Sequence, residues 1–182
     1  MTNPHDLRAV PLAPAEFASQ PPIEPTALPL RSQTELAAPP DWVHLDWTEL
    51  AIYETVEQQF LDRGVQFENA IALVPSNPAY PPATGKTVLL AAPKSGWLAA
   101  NFPQPVRYVS SCVTSSRRAV LSAFDADDRP LAQTETPSAN LAGADAEIPP
   151  NLELSLHAEN IHRITIQAID GQLTLGAFRF SY

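Results

Sequence analysis

The chain has 182 residues, 45% of them apolar, and a formal net charge of −9 at neutral pH. This length suits one domain with an extension, and the apolar share is enough for a core that needs neither disulfides nor metal. The eleven basic residues are scattered along the chain. Because phosphate neutralisation supplies most of the affinity for nucleic acid, this composition argues against DNA or RNA as a partner.

The sequence shows no signal for export or membrane insertion. Cys112 is the only cysteine, so an intramolecular disulfide cannot form, which fits a reducing compartment. The first residues contain charges and prolines but no apolar run typical of an export signal, and no stretch approaches about 18 consecutive apolar residues. We therefore expect a soluble cytoplasmic protein.

Residues 1–40 differ from the rest of the chain because they hold nine of its twenty prolines and show no helical or strand periodicity. Proline fixes φ and removes a backbone donor, so this segment is predicted to form an extended arm, partly polyproline II. The composition fits a disordered tail or linker as well. If the arm contacts a partner protein, its apolar side chains are the candidate contacts: Leu12, Phe17, Ile23, Leu28 and Leu30.

Residues 41–182 are predicted to form the folded domain, built mainly from short strands. Alternation of apolar and polar residues and β-branched content predict these strands, in chain order, at 44–48, 65–73, 87–91, 97–102, 106–114, 118–125, 131–136, 152–156, 164–168 and 173–182. The three strands from 106 to 136 have the densest β-branched content, and the first of them, 106–114, is predicted to be central. Pro103 and Pro105 should lie just before this unit, where a missing N–H costs least.

A short helix is predicted between the first two strands, at residues 55–64. Thr55 and Gln58 stand at the spacing of a capping box, and Gly64 suits the left-handed residue that ends a helix. A loop with four prolines follows at 75–86, a turn is predicted at 93–96, and a second loop is predicted at 138–151.

The end of the chain predicts a hairpin and a bulge. Asp170 and Gly171 form the strongest hairpin signal in the sequence. The apolar positions then change phase, and a bulge at Gly176 would bring them onto one face. With about ten strands and one short helix, the expected fold is all-β: an antiparallel β-sandwich of the jelly-roll type behind an extended proline-rich N-terminal arm.

Five segments of the domain carry a resemblance to a known class of module. Between residues 44 and 182 they read ETVEQQFLDRGVQFENA, FPQPVRYVSSCVT, AVLSAFDADDRPLAQ, ENIHRITIQA and LGAFRFSY. Together they resemble galactose-binding-like jelly-roll modules, which are commonest in bacterial surface and exported proteins. The resemblance implies the jelly-roll fold and, for some members of the class, carbohydrate binding.

The sequence predicts no metal site and no cofactor. Many modules of this class hold a structural calcium near their first and last strands; Asp46 sits in a comparable early place, but the closing LGAFRF has no carboxylate. The DADD run at 125–128 lacks the glycine and distal glutamate of an EF-hand and is typical of a hairpin turn. The four histidines show no ligand spacing with cysteine or carboxylate.

No motif predicts catalysis. ATGKT at 83–87 lacks the first glycine of a phosphate-binding loop, because Tyr80 stands in its place. Cys112 could act as a nucleophile with His157 or His162, but a cysteine in the middle of an apolar strand is normally an inert core residue. We therefore expect a protein without catalytic residues that is not an enzyme.

Four side chains are candidate ligand contacts. Tyr80 and Trp97 lie in or beside loops, where an exposed ring could stack on a sugar or enter a protein pocket. Arg117 and Arg118 form a basic pair at a turn that could contact a partner. The alternatives are ordinary: packed aromatic rings and a solvated strand end.

These observations favour a non-catalytic interaction module, an accessory or structural subunit of a larger protein assembly that is tethered through the arm. A carbohydrate-binding module is the first alternative, motivated by the resemblance and by Trp97 and Tyr80. A hydrolase on the jelly-roll scaffold is the second alternative, and it would need two carboxylates at catalytic separation across a cleft.

Overall fold

The structure is a computed structural model that describes residues 41–91, 96–143 and 147–182. The predicted arm at residues 1–40, with its five candidate partner contacts, lies outside these described residues, and so does most of the predicted turn at 93–96. Among the described residues, no helix is long and apolar enough to cross a membrane.

Across the described ranges, the chain forms ten β-strands and one short 3-10 turn at Leu61–Arg63. The strands are β1 (Trp42–Leu45), β2 (Thr55–Val56), β3 (Gln66–Glu68), β4 (Ala70–Leu73), β5 (Val88–Ala91), β6 (Trp97–Ser115), β7 (Val120–Phe124), β8 (Pro130–Glu135), β9 (Leu152–Gln167) and β10 (Leu173–Ser181). They pair in the order β2-β4-β5-β10-β6-β9-β7-β8, with β1 beside β10 and β3 beside β6. The all-β class and the antiparallel β-sandwich are therefore confirmed.

The inward side chains of the described strands form a hydrophobic core. Aromatic rings run through it: the ring centroid of Phe67 lies 5.8 Å from that of Trp47 and 5.4 Å from that of Phe178. Phe180 continues the series, 6.2 Å from Phe178 and 5.1 Å from Phe102. Burial of such a ring contributes about 1.5–3 kcal/mol, so the core decides which side of each strand faces outward.

The predicted helix at 55–64 is wrong. Thr55 and Val56 instead form β2, where Thr55 pairs with Ile71 of β4. Helical order is limited to one 3-10 turn, which ends at Gly64 with a left-handed φ of 90°. The capping-box spacing marks a local preference, and pairing with β4 overrides it because the strand buries Val56 completely.

The predicted strand at 65–73 is two strands with different partners. Asn69 lies between β3 and β4 with a left-handed φ of 61°, which redirects the chain. As a result β3 pairs with the start of β6, whereas β4 pairs with β5. This redirection brings Gln66 and Glu68 beside the first residues of β6.

The longest strands, β6 and β9, each merge elements that alternation predicts as separate. β6 joins the predicted strands 97–102 and 106–114, so Pro103 and Pro105 lie inside it. The prediction that these prolines precede the strand is therefore wrong. They are tolerated because the register between β6 and β9 breaks at this point, where no partner needs their missing N–H.

The predicted hairpin at Asp170 and Gly171 is also wrong, although the chain does turn there. Asp170 has a left-handed φ of 53°, and the N–H of Gly171 donates to the carbonyl of Ala168 at 3.1 Å. However, β9 and β10 are not neighbours, because β6 lies between them. Turn chemistry sets where the chain reverses, and the pairing of β6 with both strands sets which strands are adjacent.

Two local predictions hold. The bulge in β10 is present, because its register against β6 shifts between Leu175 and Ala177. The DADD run forms the turn between β7 and β8, in which the Asp125 carboxylate accepts from the N–H groups of Asp127 and Arg129, each at 2.9 Å. Those backbone donors, that of Arg129 foremost, lower the pKa of Asp125.

Candidate ligand-binding face

The structure places the four predicted ligand contacts in different surroundings. Tyr80 is 7% exposed, so its ring is packed, as in the ordinary alternative given for it above. Trp97 is half-buried at the start of β6, where it lines a groove. Arg118 pairs with Glu135 at 3.0 Å, and the side chain of Arg117 lies against Gly171. Their roles as ligand contacts stay predictions, and Tyr80 and Trp97 line separate depressions.

A larger group of aromatic, charged and polar side chains lies on the outward side of four neighbouring strands, β1, β10, β6 and β9. We call this surface the outer face. Inward residues such as Val109 and Phe180 belong to the core, so the residues that alternate with them point outward. The register aligns these outward residues in rows: Trp42, Ser181, Tyr108 and His157 in one, and His44, Arg179, Ser110 and Ser155 in the next.

Two aromatic rings and one cation are packed together on this face. The ring centroids of Trp42 and Tyr108 are 4.6 Å apart with an interplanar angle of 89°, an edge-to-face contact. The guanidinium of Arg179 lies 5.1 Å from the centroid of the Trp42 ring, in cation–π range. The two rings are half-buried, so each keeps part of its surface open to solvent.

Glu153 connects this aromatic pair to a polar network. Its carboxylate accepts a hydrogen bond from the Ser110 hydroxyl at 2.6 Å and forms an ion pair with Arg179. The Ser110 hydrogen bond is the largest cause of the lowered pKa of Glu153; burial opposes it, and the hydrogen bond and charge of Arg179 lower the pKa further. Glu153 is therefore an ionised hydrogen-bond acceptor at neutral pH. Arg179 forms an ion pair with Glu153 and a cation–π contact with Trp42.

Cys112 lies beside Glu153 in the same register. Burial, and then the nearby Glu153 charge, raise the pKa of this thiol. A thiol with a raised pKa stays protonated at neutral pH and is a poor nucleophile. This supports the interpretation of Cys112 as chemically inert rather than as the partner of His157.

The network borders a depression of about 410 Å³. Its walls include His44, Asp46, Thr84, Cys112, Glu153 and Arg179. A volume of this size lies within the range of small-ligand sites. The outer face therefore offers aromatic surface, fixed charges and space for a small polar ligand.

Neither Trp42 nor Tyr108 is among the residues singled out from the sequence. A signal for Tyr108 exists, because positions 108, 110 and 112 hold Tyr, Ser and Cys, whereas 109 and 113 hold Val. That alternation marks Tyr108 as outward. The pairing of Tyr108 with Trp42 has no such signal, since it depends on β10 lying between β1 and β6.

Comparison with known proteins gives matches only at the level of structure. No protein-family model and no curated protein matches the chain. Solved structures that resemble it include CBM29_1, a family 29 carbohydrate-binding module from Piromyces equi, at 11% identity over 78% of this chain and 91% of that one, with a TM-score of 0.41. Another is the module CBM6cm-2 from Cellvibrio mixtus lichenase 5A in complex with cellotriose, at 14% identity over 72% and 98%, with a TM-score of 0.37.

An enzyme is also among the similar structures. CpGH89 from Clostridium perfringens, in complex with its substrate GlcNAc-alpha-1,4-galactose, shares 9% identity with a TM-score of 0.40. The match covers 65% of this chain but only 14% of that enzyme. With identities this low and TM-scores below 0.5, a function has to be argued from the side chains of this chain.

The predicted role as a structural subunit of a protein assembly is wrong: three of the similar structures are carbohydrate-binding modules, which agrees with the first alternative instead. The antiparallel β-sandwich agrees with the fold that the predicted resemblance implies.

Proposed function

We propose that residues 41–182 form a carbohydrate-binding module that binds a saccharide on the outer face. The observation that carries this proposal is the packing of Trp42 and Tyr108 beside the Arg179–Glu153 ion pair on one exposed sheet surface. The similarity to carbohydrate-binding modules agrees with this choice of ligand class.

The chemistry of a sugar matches the groups on this face. A pyranose ring has an apolar surface of C–H groups that can lie against an aromatic ring. Its hydroxyls both donate and accept hydrogen bonds, and the guanidinium of Arg179 donates whereas the carboxylate of Glu153 accepts. Because these groups already hold one another, binding loses little side-chain entropy.

The charges of the outer face favour a neutral saccharide. Arg179 is a cation whose charge is balanced by Glu153, and Asp46 adds a further carboxylate to the adjoining depression. A polyanionic chain would be repelled by these carboxylates, whereas a neutral sugar can use them as acceptors.

Binding without hydrolysis is the second part of the proposal. A glycosidase needs a carboxylic acid that stays protonated near neutral pH, which requires a raised pKa. The pKa of Glu153 is lowered by Ser110 and Arg179 instead. This carboxylate therefore suits the recognition of hydroxyl groups and not the protonation of a glycosidic oxygen.

The test replaces each aromatic ring of the outer face. Binding is first detected on an array of defined oligosaccharides and then measured by titration calorimetry. We expect Trp42→Ala and Tyr108→Ala each to weaken binding at least tenfold, about 1.4 kcal/mol, because each removes a stacking surface. Tyr53→Ala is the matched control, since Tyr53 is 79% exposed and belongs to none of the four strands of the outer face.

Glu153→Gln is a further variant that keeps the shape of the side chain and removes its charge. It should weaken binding without a large loss of stability, because the Glu153 side chain is 46% exposed. Unchanged affinity in all three outer-face variants would contradict the proposed site.

A further inference from the structure

A second groove lies elsewhere on the sheet, along the first residues of β6. One depression of about 410 Å³ has Glu57, Gln58, Gln66, Glu68, Trp97 and Asn101 in its walls. A second, of about 360 Å³, includes Asp125, Asp128, His162 and Arg163. The two share Glu68 and Asn101 and are therefore adjacent; together we call them the Trp97 groove.

The register of β3 and β6 builds the floor of this groove. Trp97, Ala99 and Asn101 are alternate residues of β6 and therefore point to the same side. Glu68 pairs with Ala99 and Gln66 with Asn101. Trp97 and Asn101 are four positions apart on β6, about 13 Å, and Ala99 between them is fully buried.

Hydrogen bonds fix both ends of this floor. Asn101 Nδ2 donates to Glu68 Oε1 at 2.7 Å, which locks an amide and a carboxylate side by side. At the other end, Asn69 Nδ2 donates to the carbonyl of Trp97 at 2.7 Å. The left-handed φ of Asn69 places its side chain there, so Asn69 is a positioning residue for Trp97.

The composition of the groove indicates its ligand. Around Trp97, the first depression has amide and carboxylate side chains and no lysine or arginine in its described lining. Amides donate and accept, so neighbouring amides and carboxylates can bind vicinal hydroxyls from both directions. In the second depression, Arg163 pairs with Asp128 at 3.2 Å and adds a further donor and acceptor.

We propose that the Trp97 groove is a second saccharide site, which takes several units of a neutral glycan chain, so that the module is bivalent. Trp97 stacks on one sugar unit, the Glu68–Asn101 pair binds hydroxyls at the centre, and Arg163 and Asp128 contact a further unit. The inference shares the ligand class of the proposed function but not its site, because the two surfaces have no lining residue in common.

A bivalent module has a property that a single site lacks. When one site is bound to a long chain, the second site binds the same chain at a high effective concentration, which raises the apparent affinity by a factor of 10²–10⁴. The wild-type protein should therefore bind a polysaccharide much more tightly than a short oligosaccharide of the same sugar. A module with one working site should lose most of this difference.

The experiment uses the full chain and an array of defined oligosaccharides of one to six glucose, galactose, mannose or xylose units to select the probe. Titration calorimetry and native mass spectrometry with that probe then give the stoichiometry. We expect two equivalents for the wild-type protein and one equivalent for each of Trp42→Ala and Trp97→Ala. Asn101→Ala is the second groove variant, in case Trp97→Ala reduces folding.

Each result separates the two proposals. If one equivalent binds, survives Trp97→Ala and Asn101→Ala, and is lost in Trp42→Ala, the groove inference is overturned and the outer face stands. If one equivalent is lost in the groove variants and survives Trp42→Ala, the groove stands and the outer-face proposal fails. Absence of binding to every probe on the array would overturn both.

Discussion

The Glu153 carboxylate shows how two neighbours of different kinds can tune one side chain. Its pKa is lowered first by the Ser110 hydrogen bond and also by the hydrogen bond and charge of Arg179, against the opposing effect of burial. A depressed folded-state pKa means that the ionised form is favoured by folding. The stabilisation is therefore present above the ordinary pKa of 4.5 and is lost as the pH falls through the lower folded value.

We expect Ser110→Ala to reduce the free energy of unfolding by about 0.5 kcal/mol at pH 7, because the Glu153 side chain is 46% exposed and solvent screens the interaction. The variant should also show a shallower loss of stability below pH 4.5 than the wild-type protein. Urea unfolding at several pH values measures both effects. Ser155→Ala, in the same outward row, is the control, and equal pH slopes for all three proteins would count against this account.

At the scale of the element, Gly176 sets the path of β10. The bulge at this residue brings Leu173 and Leu175 onto the core side together with Phe178 and Phe180. A β-carbon on Gly176 would lie 2.6 Å from both Ala83 Cβ and Asn151 Oδ1, closer than packed atoms allow, and 2.8 Å from the backbone nitrogen of Ala83.

We therefore expect Gly176→Ala to lower the free energy of unfolding by about 2–3 kcal/mol through overpacking. Gly143→Ala is the matched control, because a β-carbon there meets no atom within 4 Å and only the left-handed φ of 72° is unfavourable, which costs about 1 kcal/mol. Denaturant unfolding of both variants measures the difference. A smaller effect at Gly176 than at Gly143 would show that the bulge tolerates a side chain.

At the scale of the whole molecule, the hydrophobic core formed by the described residues lies between Val43 and Phe180. The boundary between an arm at residues 1–40 and a domain at 41–182 stays a prediction. If it is right, a fragment of residues 41–182 should unfold within about 2 °C of the full chain, because it retains all the core residues that the structure describes. Thermal unfolding followed by tryptophan fluorescence tests this, and a drop of more than 5 °C would mean that residues 1–40 stabilise the domain.

Local signals predicted the strands well and their connections poorly. Alternation located the strands, and the phase change around Gly176 located the bulge, because both depend on neighbours in sequence. The helix at 55–64, the hairpin at Asp170 and the separation of 97–102 from 106–114 were wrong. Pairing with another strand overrode the local preference for the helix and the hairpin, whereas β6 continues through Pro103 and Pro105 where its register against β9 breaks.

The structure places the candidate ligand contacts in surroundings that local sequence signals could anticipate only in part. Trp97 was predicted as a ligand contact, and the structure sets it in a groove with Glu68 and Asn101. Tyr80 was predicted on the same grounds and is buried, since a ring beside a loop can turn inward or outward with equal local cost. Trp42 and Tyr108 were not predicted as a pair, because they are 66 positions apart and meet only across β10.

The sequence by itself determined the all-β class, the approximate strand positions, the bulge at Gly176 and the turn at Asp125, because period-two burial and turn chemistry are local properties. Only the tertiary structure decided that β6 lies between β9 and β10, that β3 joins β6, and that Trp42, Tyr108, Arg179 and Glu153 share one surface. The reason is physical: strand order depends on which arrangement of faces buries the most apolar area, and no single segment of the sequence determines that total area.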